Sequence, residues 1–430
     1  MMSVPLSTQA GPAPGRRPPP SLLLAPHRPA FLGGMLMLIL VSGWWALLLL
    51  APQLGASVRT SMPPMMVHGF TFAAGFMPLF MTGFLFTAGP RWLDVPAPSA
   101  RSLRWPVLMH LAGVGLLVVG SLVDSSITAF GALLLAMAWT AVGVGFAGLI
   151  RASRARDKLH AKWVMAFWAV GIGCALLFAC GLGIRQPSVV AAALWLMVFG
   201  FITPIYATVA HRVLPFFTSN AVTRVVPWKP NWALGLLLTS LLVFGALQIA
   251  ARLDLLPARQ LATLTLYTVG PASLALAALA LRWGLLQSLR GPSLRLLAML
   301  HLGFVWSVLA LLLASADAAV VLLGADATVR LGLAPLHALT MGFLGGLLFA
   351  MATRVICGHG GIPVVADGYV WLLFWVLQVA VVLRVAASVW PSHAAVLSAS
   401  ATLTWSAVWI AWAARYLPVL LRPRLDGRPG

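Results

Sequence analysis

Twelve runs of about twenty apolar residues recur along this 430-residue chain, separated by short loops that hold most of its charge. Wound as a helix rising ~1.5 Å per residue, a run of that length matches the ~30 Å hydrocarbon layer of a bilayer. Only 8% of the residues are charged and 61% are hydrophobic, whereas a soluble domain carries about a quarter charged residues. The expected fold class is therefore all-α, a polytopic transmembrane helical bundle of about 12 spans. The runs lie near 31–51, 66–89, 104–123, 127–150, 162–184, 190–210, 231–250, 260–284, 295–317, 333–352, 369–389 and 395–416. A single membrane-embedded domain is expected over 31–416. It lies between a disordered Pro-rich tail at 1–30, with the stretch GPAPGRRPPP, and a short basic tail at 417–430. The first run is full length, so it is expected to remain as an anchor rather than be cleaved.

A net charge of +20 would ordinarily raise nucleic acid as a partner. Here the charge is distributed by topology. The N-terminal tail and the even-numbered loops hold 22 of the 28 Lys and Arg residues; the opposite side holds Arg59, Arg185, Arg252, Arg259, Arg330 and Arg384. That bias predicts both termini in the cytoplasm, with the lipid bilayer rather than nucleic acid as the partner. All eight acidic residues are aspartates, and they fall in loops, tails or span ends. Proton-coupled transporters usually keep carboxylates within the membrane, so this pattern weighs against that class. The three cysteines imply no disulfide framework; Cys174 and Cys180 point to different helix faces, and no CxxCH haem-attachment motif occurs.

With so few polar residues in the spans, the nine histidines stand out. His27, His160 and His393 are expected as solvated residues of the tail and loops, and His110 as a hydrogen-bonded core residue. His68 and His337 open spans that start on the outer side, while His211, His301 and His359 lie in or beside the cytoplasmic half. His337 and His359 bracket a single apolar run and would stand about 33 Å apart on one helix, too far to share a metal. Pro63-Pro64 and Pro335 place His68 and His337 near helix N-termini, where the dipole favours the neutral, metal-binding ring. Arg59 and Arg330, shortly upstream, are candidates to pair with an anionic group. Met341 falls one turn beyond His337, beside a Gly342–Gly346 GxxxG pattern that lets a helix or a flat cofactor approach. Met62, Met65 and Met66 before His68, and Cys357 beside His359, are softer signals for a thiophilic metal. Tryptophans such as Trp44, Trp45, Trp92, Trp105 and Trp163 are expected as interfacial anchors.

Five blocks then carry a resemblance. They are His27-Arg28-Pro29-Ala30-Phe31; the second span from His68 to Trp92; Arg212-Val213-Leu214-Pro215-Phe216-Phe217-Thr218; His301-Leu302-Gly303-Phe304-Val305-Trp306; and HALTMGFLGG, leading from His337 to MATR and GHGG. In that order, on twelve spans, the chain resembles the NnrS family of bacterial polytopic membrane proteins linked to nitric oxide and described as containing haem and copper. The resemblance implies a multi-pass protein of the bacterial inner membrane, with haem and copper as cofactors and nitric oxide as its gas ligand, acting in the response to nitrosative stress. It supports His68, His301, His337 and His359 as metal ligands. One departure stands out: the family's second span opens with His-x-His-Glu, where this chain reads Met66-Val67-His68-Gly69.

Within that frame, an outer haem is expected between His68 and His337, with Arg59 and Arg330 at its propionates and Met341 nearby. An inner site is expected from His301 and His359, helped by His211; Arg212 and Arg354 lie on that side and would serve propionates if the two cofactors were exchanged. The competing reading is a transporter or exporter of a small amphiphile or metal complex. An enzyme reducing nitric oxide or oxygen ranks lower, since its proton path would lack carboxylates.

Overall fold

A carbonyl freed from its helix inside a bilayer must be re-bonded by the protein itself, and three of the inner helices of this chain are irregular in that way. The computed structural model describes residues 21–222, 225–324 and 330–424. Among them the twelve expected runs form twelve membrane-length helical segments: α1 (His27–Leu50), α2 (Pro64–Leu93), α3 (Ala100–Val123), α4 (Ser125–Ala152), α5 (Leu159–Gly183), α6 (Pro187–Ala221), α7 (Asn231–Arg252), α8 (Ala258–Arg282), α9 (Pro292–Leu322), α10 (Ala334–Gly360), α11 (Gly368–Val389) and α12 (Pro391–Leu421). No strand occurs among the described residues.

Sequence neighbours pack side by side around the bundle, and α12 closes the ring against α1. The closure is chemical as well as steric. The Arg28 guanidinium donates to the carbonyls of Leu420 (3.2 Å) and Arg422 (2.6 Å), bonding carbonyls that the end of α12 leaves without helical partners. The two ends of the domain therefore meet on one face, here the terminal face. The tail expected over 1–30 has its first 20 residues outside the described residues, but α1 already begins at His27, with Pro29 in its first turn. At the other end α12 continues through Leu421, past the expected boundary at 416, and residues 425–430 lie outside the described residues.

The most apolar stretches of α2, α10, α9 and α6 are 83%, 78%, 67% and 56% buried, against 28% for α12 and 33% for α8 and α11. The first four make the inner layer, and the last three present most of their surface to lipid. Three of the inner helices are interrupted near mid-span. α2 breaks between Ala74 and Met77 at Gly75-Phe76, where Pro78 cannot donate back to Ala74. His110 repairs the gap: its Nε2–H donates to the Gly75 carbonyl at 2.9 Å, and its Nδ1 accepts from Trp139 Nε1 at 3.1 Å. α6 widens into a π turn over Met197–Ile202, just before Pro204. α10 widens over Ala338–Leu344, where the Trp306 indole packs directly on Gly342.

Close approach of backbones holds α9 against α10. A Cβ on Gly346 would sit 3.1 Å from Gly303 Cα, and one on Gly303 would sit 3.0 Å from Leu347 N. Neither neighbour is a side-chain tip that can swing away. Gly346→Val is therefore expected to destabilise the bundle by about 1–3 kcal/mol, the usual cost of overpacking. Gly235→Ala, at a site with open space, is expected to be neutral. Thermal unfolding in detergent, followed by tryptophan fluorescence, checks both.

Candidate cofactor cavity

The three interruptions line one cavity. It measures roughly 320 Å³ and lies toward the face opposite the chain ends, and its wall includes Phe76 and Met77 of α2, Val198 and Ile202 of α6, and Thr340, Met341 and Leu344 of α10. That volume is at the lower end of small-molecule sites, ~300–1,000 Å³, and helical π turns gather at such sites. Aromatic and aliphatic side chains form most of the wall. The chemistry-bearing members are His68, His337, Met66, Met341, Arg252 and Arg384.

His337 is set by the first turn of α10. Its Nδ1–H donates to the Leu333 carbonyl at 3.0 Å, which leaves the lone pair on Nε2. A metal-binding histidine is usually oriented in this way, by a backbone carbonyl on the far ring nitrogen. His68 lies flat on Trp45, with ring centroids 4.0 Å apart and planes 20° apart, and Phe72 closes on it at 4.5 Å. Its Nδ1 is buried with no hydrogen-bond partner. The two imidazoles are in electrostatic reach of each other, and Arg384 is in reach of both.

Arg384 lies, partly buried, in the C-terminal half of α11 and donates to Ser388 Oγ at 2.9 Å; no carboxylate pairs with it among the described residues. Arg252, at the end of α7, stacks over Trp195 with its guanidinium carbon 5.1 Å from the ring centroid. These are not the arginines expected from the sequence. Arg330 is held by Asp317 through two hydrogen bonds of 2.9 and 2.8 Å, a pairing that raises its pKa and keeps it outside the cavity wall. Arg59 is exposed and also outside the wall. Met341 and Met66 do line it. At Gly69 the Leu194 methyls lie 2.8–2.9 Å from where a Cβ would be, so an apolar side chain packs directly against that position.

On the terminal face the expected inner site separates into three places. The His301 Nε2–H donates to Thr218 Oγ1 at 2.9 Å, while Thr218 donates onward to Leu214. His211 accepts on Nδ1 from His160 at 3.0 Å and donates from Nε2 to the Pro230 carbonyl at 3.2 Å. His359 packs on His27, with centroids 4.7 Å apart. His301 and His359 thus find different partners because they face different neighbours across the bundle. His27 and His160, expected as solvated, are both buried because α1 and α5 extend beyond their apolar runs. His393 is exposed in a short turn, as expected. Arg354 lies over Phe217 at 3.8 Å and Arg212 over Trp92 at 4.9 Å. No group of three or more His, Cys, Asp or Glu that could share a metal occurs among the described residues.

Sequence reasoning passed over Arg384, Arg252 and Trp45 as wall residues. A signal existed for the first two: both belong to the six basic residues on the sparsely charged side, and Arg384 alone falls inside an expected span, 369–389. Comparison with known families agrees with the architecture. A family model described as NnrS protein matches residues 21–424, and no curated protein matches the chain. Spanning nearly all of the described helices, that match establishes that the chain belongs to the NnrS family.

Proposed function

We propose that this protein, a multi-pass protein of the bacterial inner membrane, holds haem in the cavity beside His337 and His68 and binds nitric oxide there as part of resistance to nitrosative stress. The observation that carries the reading is His337, an imidazole fixed by Leu333 through one ring nitrogen, in the wall of a cavity that a guanidinium without a carboxylate also lines. The donor set suits haem. The walls are apolar and aromatic, the imidazole offers nitrogen to iron, and Arg384 and Arg252 offer cationic donors for propionates. A guanidinium among apolar side chains costs desolvation that an anionic ligand would offset.

Haem, when bound, supplies an iron that coordinates a diatomic gas. The protein's own residues would do the rest. His337 would hold the iron through Nε2, and Trp45 and Phe72 restrict the His68 ring. Phe76, Leu344 and Trp405 exclude water. Copper fits less well: the terminal-face histidines are already hydrogen-bonded or paired, and no three-ligand group stands among the described residues. The described aspartates lie at span ends or in loops, which favours gas binding over proton-consuming reduction.

The purified protein is expected to show a Soret band that is lost in His337→Ala, lost or shifted in His68→Ala, and retained in His301→Ala. Absorption spectra with iron analysis read this out, and wild type without haem after expression in haem-replete cells would sink the proposal. The arginines separate as well. Losing a charge-assisted hydrogen bond costs about 1.5–3 kcal/mol, so Arg384→Gln should weaken haem retention roughly 10- to 100-fold in apomyoglobin-transfer assays. Arg330→Gln should leave it unchanged, because that guanidinium belongs to Asp317.

A further inference from the structure

A second cavity lies beneath the first. It measures roughly 60 Å³, and Phe80, Met81, Tyr206, Ala210, Leu348 and Met351 are among its lining residues. Three helices contribute to both cavities at an offset of about one turn. In α2, Met77 lines the upper cavity and Phe80 and Met81 the lower; in α6 the same holds for Ile202 against Ile205 and Tyr206, and in α10 for Leu344 against Leu347 and Leu348. One helical turn is about 5.4 Å, so the lower cavity lies about that far toward the terminal face.

Its chemistry differs from that of the cavity above. No charged side chain lines it, and Tyr206 is its single polar side chain. Water needs two to four polar partners to stay in such a place, and apolar cavities remain dry and take up apolar solutes. A water-sized occupant needs ~10–15 Å³, so the lower cavity, at roughly 60 Å³, holds a few heavy atoms and is far too small for haem. Ten of its fourteen lining residues are buried, and Phe84, Tyr206, Val209 and Met351 are partly exposed, so it is a mostly buried recess rather than a sealed chamber.

We propose that the lower cavity is a docking pocket for an apolar diatomic gas, one helical turn from the cavity that holds His337. Occupancy by a gas follows from size and polarity alone. Its use as a waiting place for a ligand of the upper cavity rests on the function proposed above. Leu344, Met77 and Ile202 line the upper cavity at the turn between the two chambers and so stand between them.

Xenon is the probe. Crystals of the full-length protein pressurised with xenon should show an anomalous peak bounded by Phe80, Tyr206 and Leu348. Ala210→Leu, which fills the space, should abolish the peak, and Leu348→Ala, which enlarges it, should keep or strengthen it. The opposite signs separate pocket filling from loss of fold. In haem-loaded protein, Ala210→Leu should also change the geminate rebinding fraction of carbon monoxide after flash photolysis by at least about twofold. Xenon found only in the upper cavity, or nowhere, overturns the docking pocket whatever the haem spectrum shows. Xenon in place with no Soret band in the purified protein leaves the pocket standing and overturns the haem reading instead.

Discussion

Inside a bilayer a backbone carbonyl without a partner costs several kcal/mol, and the mid-span interruptions of α2, α6 and α10 answer that cost locally. Pro78 removes the donor that Ala74 would have used, and the nearby Gly75 carbonyl is taken by His110, itself oriented by Trp139. In α6, Thr203 N–H reaches back five residues to Val198, and in α10 Gly345 N–H reaches back five to Thr340. These longer bonds keep the carbonyls satisfied while displacing side chains from the register of a regular helix. Because the interruptions in α2, α6 and α10 share one cavity, its walls are a product of hydrogen-bond repair as much as of side-chain size.

Scarcity of carboxylates sets the second constraint. With 28 Lys and Arg residues and eight Asp residues, most guanidiniums have no acid to pair with, and they turn to other electron-rich groups. Arg212, Arg252, Arg282 and Arg354 lie over aromatic faces, and Arg28 bonds the carbonyls at the end of α12. The 18 tryptophans accordingly do more than anchor the bundle in the interface. Trp45 stacks on His68, Trp139 donates to His110, Trp306 bonds Gln378 across α9 and α11, and Trp405 forms part of the cavity wall. Against that background the Arg384 guanidinium donates to Ser388 and stands within electrostatic reach of two imidazoles.

What the sequence made legible follows from which facts are local. Span length and hydropathy depend only on neighbouring residues, so all twelve helices were readable, and the placement of His68 and His337 at the start of two spans with the same direction followed from counting. Their convergence on one cavity was consistent with that count. Rotation about a helix axis is not local, and it decides whether His301 meets Thr218 or His359. The same applies to Arg384, whose access to the cavity depends on how α11 leans on α10. Helix ends were misjudged for a related reason: His27 and His160 lie outside the apolar runs, yet packing with His359 and His211 draws both into the protein.

The two stacked cavities also explain how one bundle can treat two kinds of molecule differently. The upper chamber offers nitrogen, sulfur and guanidinium groups within aromatic walls, the donor set on which the proposed haem site rests. The lower chamber offers only dispersion contacts in a small volume, so it discriminates by size and by the absence of polarity. Both share walls from α1, α2, α6 and α10. Gly69 sharpens the separation. With Leu194 packed against Gly69, that stretch of the upper wall is apolar.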